Sequence, residues 1–535
     1  MIVCRYPNIP YPAFPAYRER ISTEVRQKLT DLARHPAIVL WFGGNEDQCS
    51  HYNPARHDGI ACAGKNWYPN CQQVYEDCRS IYIDTVLATA ANCSSVPLWP
   101  VSPAAGWASG VDMATGVPNG QRLVEIEDAQ TTPTRPNQGA LDVHGPYGSP
   151  MQPSSLFHGE GHVLFHSEFG ELSLPQYETM AEVLSDSELT VKSGAMAQRS
   201  PNGAGARVVG FISGTFGPIF SDYDSSTEQT YRRVAYLTQL AQSEGLRSIV
   251  DGGRLGVAAS DSDGTATALE RPWGYMCKRV LFLSCRFVRL ANPRRITFAD
   301  WQLNDVTQGY SWGSLEYQGR LKIAHYRAKR LFADVRIECN LLPPAASTSR
   351  ANASTIACTV ANDAAAAWSG DVSLAIAPLA ADASTKPSWE RTLKVEAVPS
   401  GEAKRFLLEA VTDSLCPKSP CWLFGQEGTQ AARADIGLTL QPIKSLVSSG
   451  TLPRTSVSAH VVSSNATGAQ VELSVDGPAA LYVHVTTSAR GAFTDSAFHL
   501  LAGEKRGLGF EAWAEHGALD AELFASSLRV HWLNE

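Results

Sequence analysis

The sequence of 535 residues has few charged side chains, which make up 18% of it against roughly 25% in an average globular protein. Its formal net charge at pH 7 is -8, so it lacks the basic excess that favours binding to nucleic acid or anionic lipid. No stretch approaches the roughly 18 consecutive apolar residues of a membrane span. Hydrophobic residues still make up 44% of the chain, and this abundance excludes a largely disordered protein.

Several motifs of metal and nucleotide chemistry are absent. The sequence has no phosphate-binding loop of the form GxxxxGK[ST] and no HExxH zinc helix. None of its twelve cysteines forms a CxxC pair, which argues against a zinc ribbon. We therefore expect neither a metal nor a cofactor.

The cysteines fit an oxidising compartment. Five of them lie in the looped stretch 49–93, and Cys416 and Cys421 close a short loop bounded by prolines. Both patterns favour disulfide bonds, although pairing cannot be read from a sequence and buried free thiols are the alternative. Three Asn-x-Ser/Thr triplets, each weak alone, add support for a secretory glycoprotein. They begin at Asn92, Asn352 and Asn465.

Hydrophobic spacing predicts that helices and buried strands alternate over the first 336 residues. Apolar residues recur at helical intervals in 18–34, 72–91, 227–245 and 320–334. Short continuous apolar runs are typical of strands buried on both faces, as in a parallel sheet. These runs are 37–41, 96–101 and 163–165. The alternation predicts an α/β domain with a parallel sheet.

Beyond residue 336 the long helical patterns end and short alternating runs replace them. Such runs occur at 355–360, 372–376 and 471–475, with Ser, Thr, Ala and Pro between them. The pattern is typical of β-sandwiches. We therefore predict two sandwich modules, 337–445 and 446–535, with a joint near 442–455. The expected fold class is a multidomain chain, α/β first and all-β afterwards.

Two of the predicted buried strands lead directly into a glutamate. Glu46 follows the run at 37–41, and Glu168 follows the run at 163–165. In barrels of alternating strands and helices, catalytic residues lie at the C-terminal ends of the strands. Two carboxyl groups from different strands can hydrolyse a glycosidic bond, because one protonates the leaving oxygen and the other attacks the anomeric carbon or activates water. The pattern alone leaves open that both are solvated surface carboxylates.

Three sequence motifs favour catalytic carboxyl groups over solvated surface carboxylates. Residues 35–46 read His-Pro-Ala-Ile-Val-Leu-Trp-Phe-Gly-Gly-Asn-Glu, and residues 167–170 read Ser-Glu-Phe-Gly. Residues 301–317 contain Trp-Gln-Leu-Asn-Asp and Ser-Trp-Gly-Ser-Leu-Glu-Tyr. In this order they resemble the acid/base segment, the nucleophile segment and the last barrel strand with its loop in β-mannosidases of glycoside hydrolase family 2. Residues 497–506 resemble the C-terminal module of the same family.

The resemblance implies a partial (β/α)8 TIM barrel over residues 1–336, followed by immunoglobulin-like β-sandwich modules. It implies that Glu46 is the general acid/base and Glu168 the nucleophile. Family enzymes retain the anomeric configuration, so the two carboxyl groups are expected roughly 5–5.5 Å apart.

The resemblance also implies substrate-binding roles for four residues. Asn45 would hydrogen-bond the sugar, Trp301 would form a wall of the subsite for the terminal mannose, and Trp41 and His144 would line the same site. Simpler interpretations stay open: Asn45 capping a turn, Trp301 packing in the barrel, and His144 serving a structural role or facing solvent. Glu316, in the third motif, is expected at the surface or as an anchor of its loop.

The sequence also departs from the family. Residues 1–5 resemble the tail of the third barrel strand, so the first two strands are expected to be missing. Residues 1–5 also show no signal-peptide pattern. Gly145 and Pro146 follow His144 where aromatic residues are usual. Residues 252–300 fit poorly, because basic residues cluster there, which favours an insertion or a mis-predicted exon over a partner-binding patch.

The function predicted from these observations is that of a retaining exo-β-mannosidase acting on oligosaccharides with terminal β-mannose. The alternatives are another family 2 exo-glycosidase, such as a β-glucosaminidase or β-galactosidase, and a non-catalytic carbohydrate-binding homologue. A lysosomal or secreted location follows from the resemblance, the triplets and the cysteines. No nucleic-acid partner is expected, and the oligomeric state is not predicted.

Overall fold

The computed structural model describes most of the chain, in segments. These are residues 11–32, 41–45, 71–94, 98–99, 141–147, 163–200, 205–223, 225–254, 273–275, 296–300, 302–342, 354–412, 414–416, 420–427 and 436–535. Only the backbone is described for 141–147, 163–167, 205–206, 251–254, 273–275, 296–300 and a few element ends. Within these segments, no helix is both long and apolar enough to cross a membrane.

The chain divides into two compact units. The first comprises Met1–Gly145, Gly159–Phe169 and Trp273–Asp300, and the second comprises Pro146–His158, Gly170–Pro272 and Trp301–Glu535.

The helices of the first unit form where the hydrophobic spacing predicts them. Ile21, Val25 and Leu29 recur every four residues and are buried, so one face of the first helix enters the core, while Leu32 at its end is exposed. The core also contains Val74, Cys78 and Ile81 of the second helix. The helical segments are α1 (Pro15–Leu32), α2 (Cys71–Ile81), a π-helical stretch (Tyr82–Leu87) and α3 (Ala88–Ala91).

The strands near the predicted site pair in parallel, as expected. Strands β1 (Trp41–Phe42) and β2 (Leu98–Trp99) form one parallel pair. A four-stranded sheet has the order β3-β4-β6-β5, in which β6 pairs in parallel with both β4 and β5. Its members are β3 (Leu141–Tyr147), β4 (Val163–Gly170), β5 (Trp273–Tyr275) and β6 (Ile296–Asp300). The prediction of parallel pairing is confirmed for the pairs β1–β2, β4–β6 and β5–β6.

The second unit begins with helices around a large apolar core. Its longest helix places Leu237, Leu240 and Ala241 in that core. The helices are α4 (Tyr177–Met180), α5 (Gly194–Gln198), α6 (Gly205–Phe216), α7 (Glu228–Arg254), α8 (Ile323–Leu331), α9 (Ile443–Ser448) and α10 (Ala521–Ser526), with short 3-10 turns at Asp186–Glu188 and Ala514–His516.

The following strands form a two-sheet sandwich. One sheet has the order β11-β8-β7 and the other β10-β9-β12-β13, and their inner faces supply one apolar core. Cys339 and Cys358 lie opposite each other on β7 and β8 and form a disulfide, and Cys416 bonds Cys421, which confirms the predicted loop closure. The strands are β7 (Val335–Leu342), β8 (Thr355–Asn362), β9 (Trp368–Pro378), β10 (Trp389–Val398), β11 (Glu402–Ala410), β12 (Cys421–Glu427) and β13 (Ile436–Thr439).

A second sandwich ends the chain, with sheets β14-β15-β19-β17 and β18-β16-β20. Every residue of β16 is buried. Val483 and Val485 face the sandwich core, while Tyr482 accepts a hydrogen bond at its carbonyl oxygen from Tyr236 of α7. Its strands are β14 (Ser456–Asn465), β15 (Gly468–Asp476), β16 (Ala480–Thr486), β17 (Gly491–Phe493), β18 (Phe498–Leu500), β19 (Lys505–Ala512) and β20 (Arg529–His531).

The predicted joint between the modules is more than a linker. Residues 443–448 of this stretch form α9, whose Leu446 is buried in the same core as α6 and α7. The stretch therefore contributes to the core of the second unit.

Candidate functional site

The segment that leads to Glu46 is packed against the π-helical stretch. A Cβ atom on Gly44 would lie 2.6 Å from Cε1 of Tyr82, so only glycine fits beneath this ring without a shift of the ring. Asn45 is buried in the structure, at 8% exposure. Glu46 itself lies outside the described residues. The structure thus explains the second glycine of the motif by close packing.

Trp41 belongs to the core of the first unit. Its indole is 9% exposed, packs in the same cluster as Ile21 and Val25, and donates from Nε1 to the hydroxyl of Ser94 at 3.3 Å. The described contacts of Trp41 are therefore those of a core residue.

Glu168 lies at a register shift near the end of β4. His166 is opposite Phe298 on β6, but Phe169 is opposite Asp300, so β4 uses three steps where β6 uses two. The extra residue falls in the Ser167–Glu168 stretch. Bulges of this kind are over-represented next to active sites, where they change the direction of a side chain. The Glu168 side chain is buried, at 6% exposure.

The chain that follows Glu168 is fixed by polar side chains of α7. Thr238, Gln239 and Gln242 are each buried. The amide of Gln242 donates to the carbonyl oxygen of Glu171 at 2.9 Å, and that of Gln239 donates to the carbonyl oxygen of Leu174 at 2.9 Å. The backbone N–H of Leu174 donates to the hydroxyl of Thr238 at 3.0 Å. One helix face therefore sets the path of this segment.

The same segment pairs with the loop that follows Trp301. Ser173 and Ser311 exchange two backbone hydrogen bonds, of 2.8 and 3.1 Å, in an antiparallel bridge. The ammonium group of Lys322, which is fully buried, donates to the carbonyl oxygen of Ser173 at 3.3 Å and to the hydroxyl of Ser311 at 3.2 Å.

A buried ion pair holds the loop itself. Lys322 Nζ lies 3.4 Å from Oδ2 of Asp305, whose Oδ1 accepts a hydrogen bond of 2.5 Å from the hydroxyl of Ser311. A Cβ atom on Gly313 would lie 2.3 Å from Asp305 Oδ1, so this glycine of the third motif leaves room for the carboxylate. Residues 309–313 also have the Gly-x-Ser-x-Gly spacing of serine hydrolases, with Ser311 at the centre. The Ser311 hydroxyl, however, donates to Asp305, and residues 309–313 lie in a loop and not at a strand-to-helix turn.

Glu316 is the anchor of this loop, and the expectation of a surface position is wrong. It is 1% exposed. Its carboxylate accepts hydrogen bonds from the backbone N–H of Gln176 at 2.8 Å, from the hydroxyl of Thr179 at 2.5 Å and from the amide of Gln239 at 3.2 Å. Burial raises the pKa of Glu316 to about 7, against the lowering effect of Lys322 and of the hydrogen bonds.

The remaining predicted site residues are not described at the level of their side chains. His144 lies on β3, whose backbone alone is described, and Trp301 lies outside the described residues. The stretch 252–300 is described only at residues 252–254 and in its two short strands, as backbone. Three of the six predicted site side chains are thus described: Trp41, Asn45 and Glu168.

A cleft with about 240 Å³ of empty space, partly open to solvent, lies in the second unit. Residues of α4, α7, β16 and β20 line it, among them Glu178, Arg232, Tyr236, His484 and His531. Trp41, Asn45 and Glu168, the predicted site residues whose side chains are described, are not among its lining residues. Within the described residues, no group of three or more His, Cys, Asp or Glu side chains is arranged to hold a metal ion.

Sequence reasoning missed the residues that organise the site. Thr238, Gln239 and Gln242 stand among apolar residues of α7, and this interruption of an apolar face was the signal that could have identified a buried polar stripe. Asp305 and Lys322 are 17 positions apart and carry no local signal of their pairing.

Comparison with known proteins gives three kinds of match. The Ig_mannosidase family model, an Ig-fold domain, matches residues 452–535. The β-mannosidase A of Aspergillus fumigatus is 23% identical over 342 residues, 61% of this chain and 31% of that protein. The β-mannosidase of Bos taurus is 23% identical over 348 residues, 60% of this chain and 30% of that protein. The aligned region thus spans about a third of the length of these curated relatives.

Solved structures show the same fold. The β-D-mannosidase from Dictyoglomus thermophilum superposes with a TM-score of 0.62 at 18% identity, over 98% of this chain and 52% of that one. An exo-chitosanase from Amycolatopsis orientalis superposes with a TM-score of 0.53 at 14% identity, over 97% of this chain and 53% of that one. The resemblance read from the motifs is confirmed: the chain is similar to β-mannosidases of glycoside hydrolase family 2.

Proposed function

We propose that this chain carries the hydrolytic site of a retaining exo-β-mannosidase, which removes terminal non-reducing β-D-mannose from oligosaccharides and glycoproteins. The observation that carries the proposal is the position of Glu168. It is buried at the C-terminal end of a parallel strand, at a register shift, within the motif that resembles the nucleophile segment. Such strand ends are where barrel enzymes place catalytic groups.

In the proposed reaction Glu168 attacks the anomeric carbon and the glycosidic bond breaks, while Glu46 donates its proton to the leaving oxygen. The resulting mannosyl ester on Glu168 is then hydrolysed by a water molecule that Glu46 deprotonates. Two inversions at the anomeric carbon give net retention. The hydrogen bonds from α7 to residues 171 and 174 support this role, because a nucleophile must be held within fractions of an ångström of its target.

Substrate binding is proposed for Asn45, Trp301, His144 and Trp41. Asn45 would hydrogen-bond the sugar beside the scissile bond, and Trp301 would form the wall of the terminal subsite.

The finer architecture is also part of the proposal. Residues 1–336 would form a partial (β/α)8 barrel, followed by sandwich modules at 337–445 and 446–535. The parallel pairs β1–β2 and β4–β6 support the barrel, and the family match to 452–535 supports the last module. The disulfides Cys339–Cys358 and Cys416–Cys421 support a secreted or lysosomal location, because such bonds are rare in the cytosol.

The test is labelling of the full chain with 2-deoxy-2-fluoro-β-mannosyl fluoride, followed by peptide mass mapping. The 2-fluorine slows hydrolysis of the ester, so we expect a fluoromannosyl adduct on the peptide that contains Glu168. Glu168→Gln should give no adduct and lower kcat by at least about 10³-fold. Glu515→Gln, which changes an exposed carboxylate of the C-terminal module, is the control and should label as the unmodified chain does.

An adduct on another residue would overturn the assignment of Glu168. Absence of any adduct on a folded chain would favour the non-catalytic alternative. A second candidate, an exo-β-glucosaminidase, draws support from the structural likeness to the exo-chitosanase. A panel of p-nitrophenyl β-mannoside, β-glucosaminide and β-galactoside separates these activities by their kcat/KM values.

A further inference from the structure

Arg320 connects the loop after Trp301 to the C-terminal module. Its guanidinium is 5% exposed and donates to three successive backbone carbonyls: Thr487 at 2.9 Å, Ser488 at 2.9 Å and Ala489 at 3.2 Å. Three carbonyl oxygens converge on one planar fork of donors, a geometry that lysine cannot reproduce. The contact is therefore specific to arginine.

The acceptor segment is itself fixed within the module. Ser527, at the end of α10, accepts a hydrogen bond from the backbone N–H of Ser488 at 3.0 Å, and its hydroxyl lies 2.9 Å from that of Thr487. The carbonyls that receive Arg320 are thus held from behind by a second element of the same sandwich.

Arg320 also closes a tight turn that contains Glu316. Its carbonyl oxygen accepts a hydrogen bond of 2.8 Å from the backbone N–H of Glu316, and the N–H of Gly319 donates back to the Glu316 carbonyl at 2.8 Å. Gln318 and Gly319 both have positive φ, of 68° and 93°. A non-glycine residue rarely adopts such a φ, so the surrounding contacts must hold this turn in place.

The turn reaches both segments that matter for the proposed reaction. Through its carboxylate, Glu316 holds Gln176 and Thr179, close along the chain from Glu168. Through the adjacent Leu315, the turn is paired with 303–305, which follow Trp301 almost directly: Leu315 donates to the carbonyl of Leu303 at 2.8 Å and accepts from the N–H of Asp305 at 2.9 Å.

We propose that Arg320 is a positioning residue for the hydrolytic reaction, and that residues 487–489 of the C-terminal module are the fixed support against which it holds the turn 316–320. In this arrangement the sandwich module holds the segments that follow Glu168 and Trp301 along the chain, at 171–180 and 302–322. The inference rests on the proposed function for its kinetic consequences, whereas the mechanical coupling can be measured without any substrate.

The matched control is Arg233 of α7. It is also buried and also donates to backbone carbonyls of the module, those of Trp532 at 2.7 Å and Leu533 at 2.9 Å. It makes no contact with the turn among the hydrogen bonds of the described residues. Arg233→Met therefore weakens attachment of the module without releasing Glu316, whereas Arg320→Met does both.

The experiment compares full-length unmodified chain, Arg320→Met, Arg320→Lys and Arg233→Met by hydrogen–deuterium exchange, thermal unfolding and kinetics on p-nitrophenyl β-mannoside. We expect Arg320→Met to speed exchange in peptides covering 171–180 and 302–322 and to lower kcat by about tenfold or more with a smaller change in KM. Arg320→Lys should fall between, because it keeps the charge and part of the bonding. Arg233→Met should lower the unfolding temperature and leave kcat within about twofold.

Unchanged exchange in 171–180 and 302–322 for both Arg320 variants would overturn the proposal, as would equal effects of Arg320→Met and Arg233→Met on kcat. If Arg320→Met does not fold, the Arg320→Lys and Arg233→Met comparison decides the same point. An unmodified chain without glycosidase activity on any substrate would count against the proposed function alone, and the exchange data would still decide whether Arg320 couples the module to the turn.

Discussion

His484 and His531 lie directly opposite each other on the antiparallel strands β16 and β20, and the ring of Tyr236 stacks against both imidazoles. The ring centroids are 6.4 Å apart for Tyr236 and His484 and 5.7 Å apart for Tyr236 and His531. The contact between α7 and the last sandwich thus contains two titratable rings, the buried His484 and the half-buried His531, and the cations of Arg232 and Arg233 act on His531. At acid pH each ring must either bind a proton inside the folded protein or stay neutral while the same ring in the unfolded chain binds one. Both alternatives lower the free energy of unfolding.

Acid should weaken this contact through His484. Burial lowers the pKa of His484 to about 3 from its usual 6.5, so the folded state binds fewer protons than the unfolded state between these values. The contribution of neutral His484 to the free energy of unfolding is fully present above pH 6.5. It is lost as the pH falls towards 3, by about 2 kcal/mol at pH 5. His484→Gln should flatten the acid limb of a plot of unfolding temperature against pH.

His460→Gln, at an exposed position of β14, is the control and should leave that plot unchanged. A residual acid slope in His484→Gln is expected from His531, whose pKa burial also lowers well below its usual value. An identical acid limb in His484→Gln and the unmodified chain would contradict the prediction.

Glu316 should make the free energy of unfolding depend on pH in the opposite direction. Burial raises its pKa in the folded state to about 7, so the folded state holds a proton that the unfolded state has already lost. The stability from this group is fully present below about pH 4.5 and is lost as the pH rises to 7, by about 3 kcal/mol in all. Glu316→Gln removes the ionisation while keeping an acceptor for the N–H of Gln176, and should therefore be relatively more stable at pH 8 than at pH 5.

The measurement is the difference in unfolding temperature between Glu316→Gln and the unmodified chain at pH 5 and pH 8. Glu515→Gln serves as the control for loss of one carboxylate at an exposed site. A difference that is the same at both pH values would show that Glu316 does not titrate in this range.

Gly313→Ala should disturb the Asp305 site without removing any hydrogen-bonding group. The new Cβ would lie 2.3 Å from Asp305 Oδ1 and 3.0 Å from the carbonyl oxygen of Leu315, so the carboxylate must leave Ser311 or the loop must shift. We expect a loss of about 1–3 kcal/mol in the free energy of unfolding and a lower kcat/KM.

Gly507→Ala on β19 is the matched control, because a Cβ atom there meets nothing within 4 Å. It should change both quantities little. Equal stability and activity of Gly313→Ala and Gly507→Ala would contradict this prediction. The loop around Asp305 would then accommodate the new Cβ atom without a change in the free energy of unfolding or in kcat/KM.

The sequence was informative where structure depends on local pattern. The four-residue spacing of Ile21, Val25 and Leu29 predicted α1, and alternation at 471–475 predicted β15, because each pattern encodes a single buried face. The proline-bounded pair Cys416 and Cys421 was also visible, since a short loop brings the two residues together.

The candidate site was only partly visible, because its organisation depends on distant pairings. The motif located Glu168, yet the register shift at this residue requires the neighbouring strand β6, more than a hundred positions away. Glu316 meets the N–H of Gln176 across 140 positions, and nothing beside it in sequence distinguishes a buried anchor from a surface carboxylate. The π-helical stretch was missed as well, because one extra residue per turn hardly alters an apolar pattern over 72–91.

The three carbonyl acceptors of Arg320 affect which residues of this contact can vary among related sequences. The donor is a side chain, but every acceptor belongs to the main chain, and all twenty residue types present the same carbonyl oxygen. Relatives are therefore free to vary residues 487–489 while retaining arginine at 320. Paired substitutions across this contact would be scarce, and methods that infer contacts from correlated changes would overlook it.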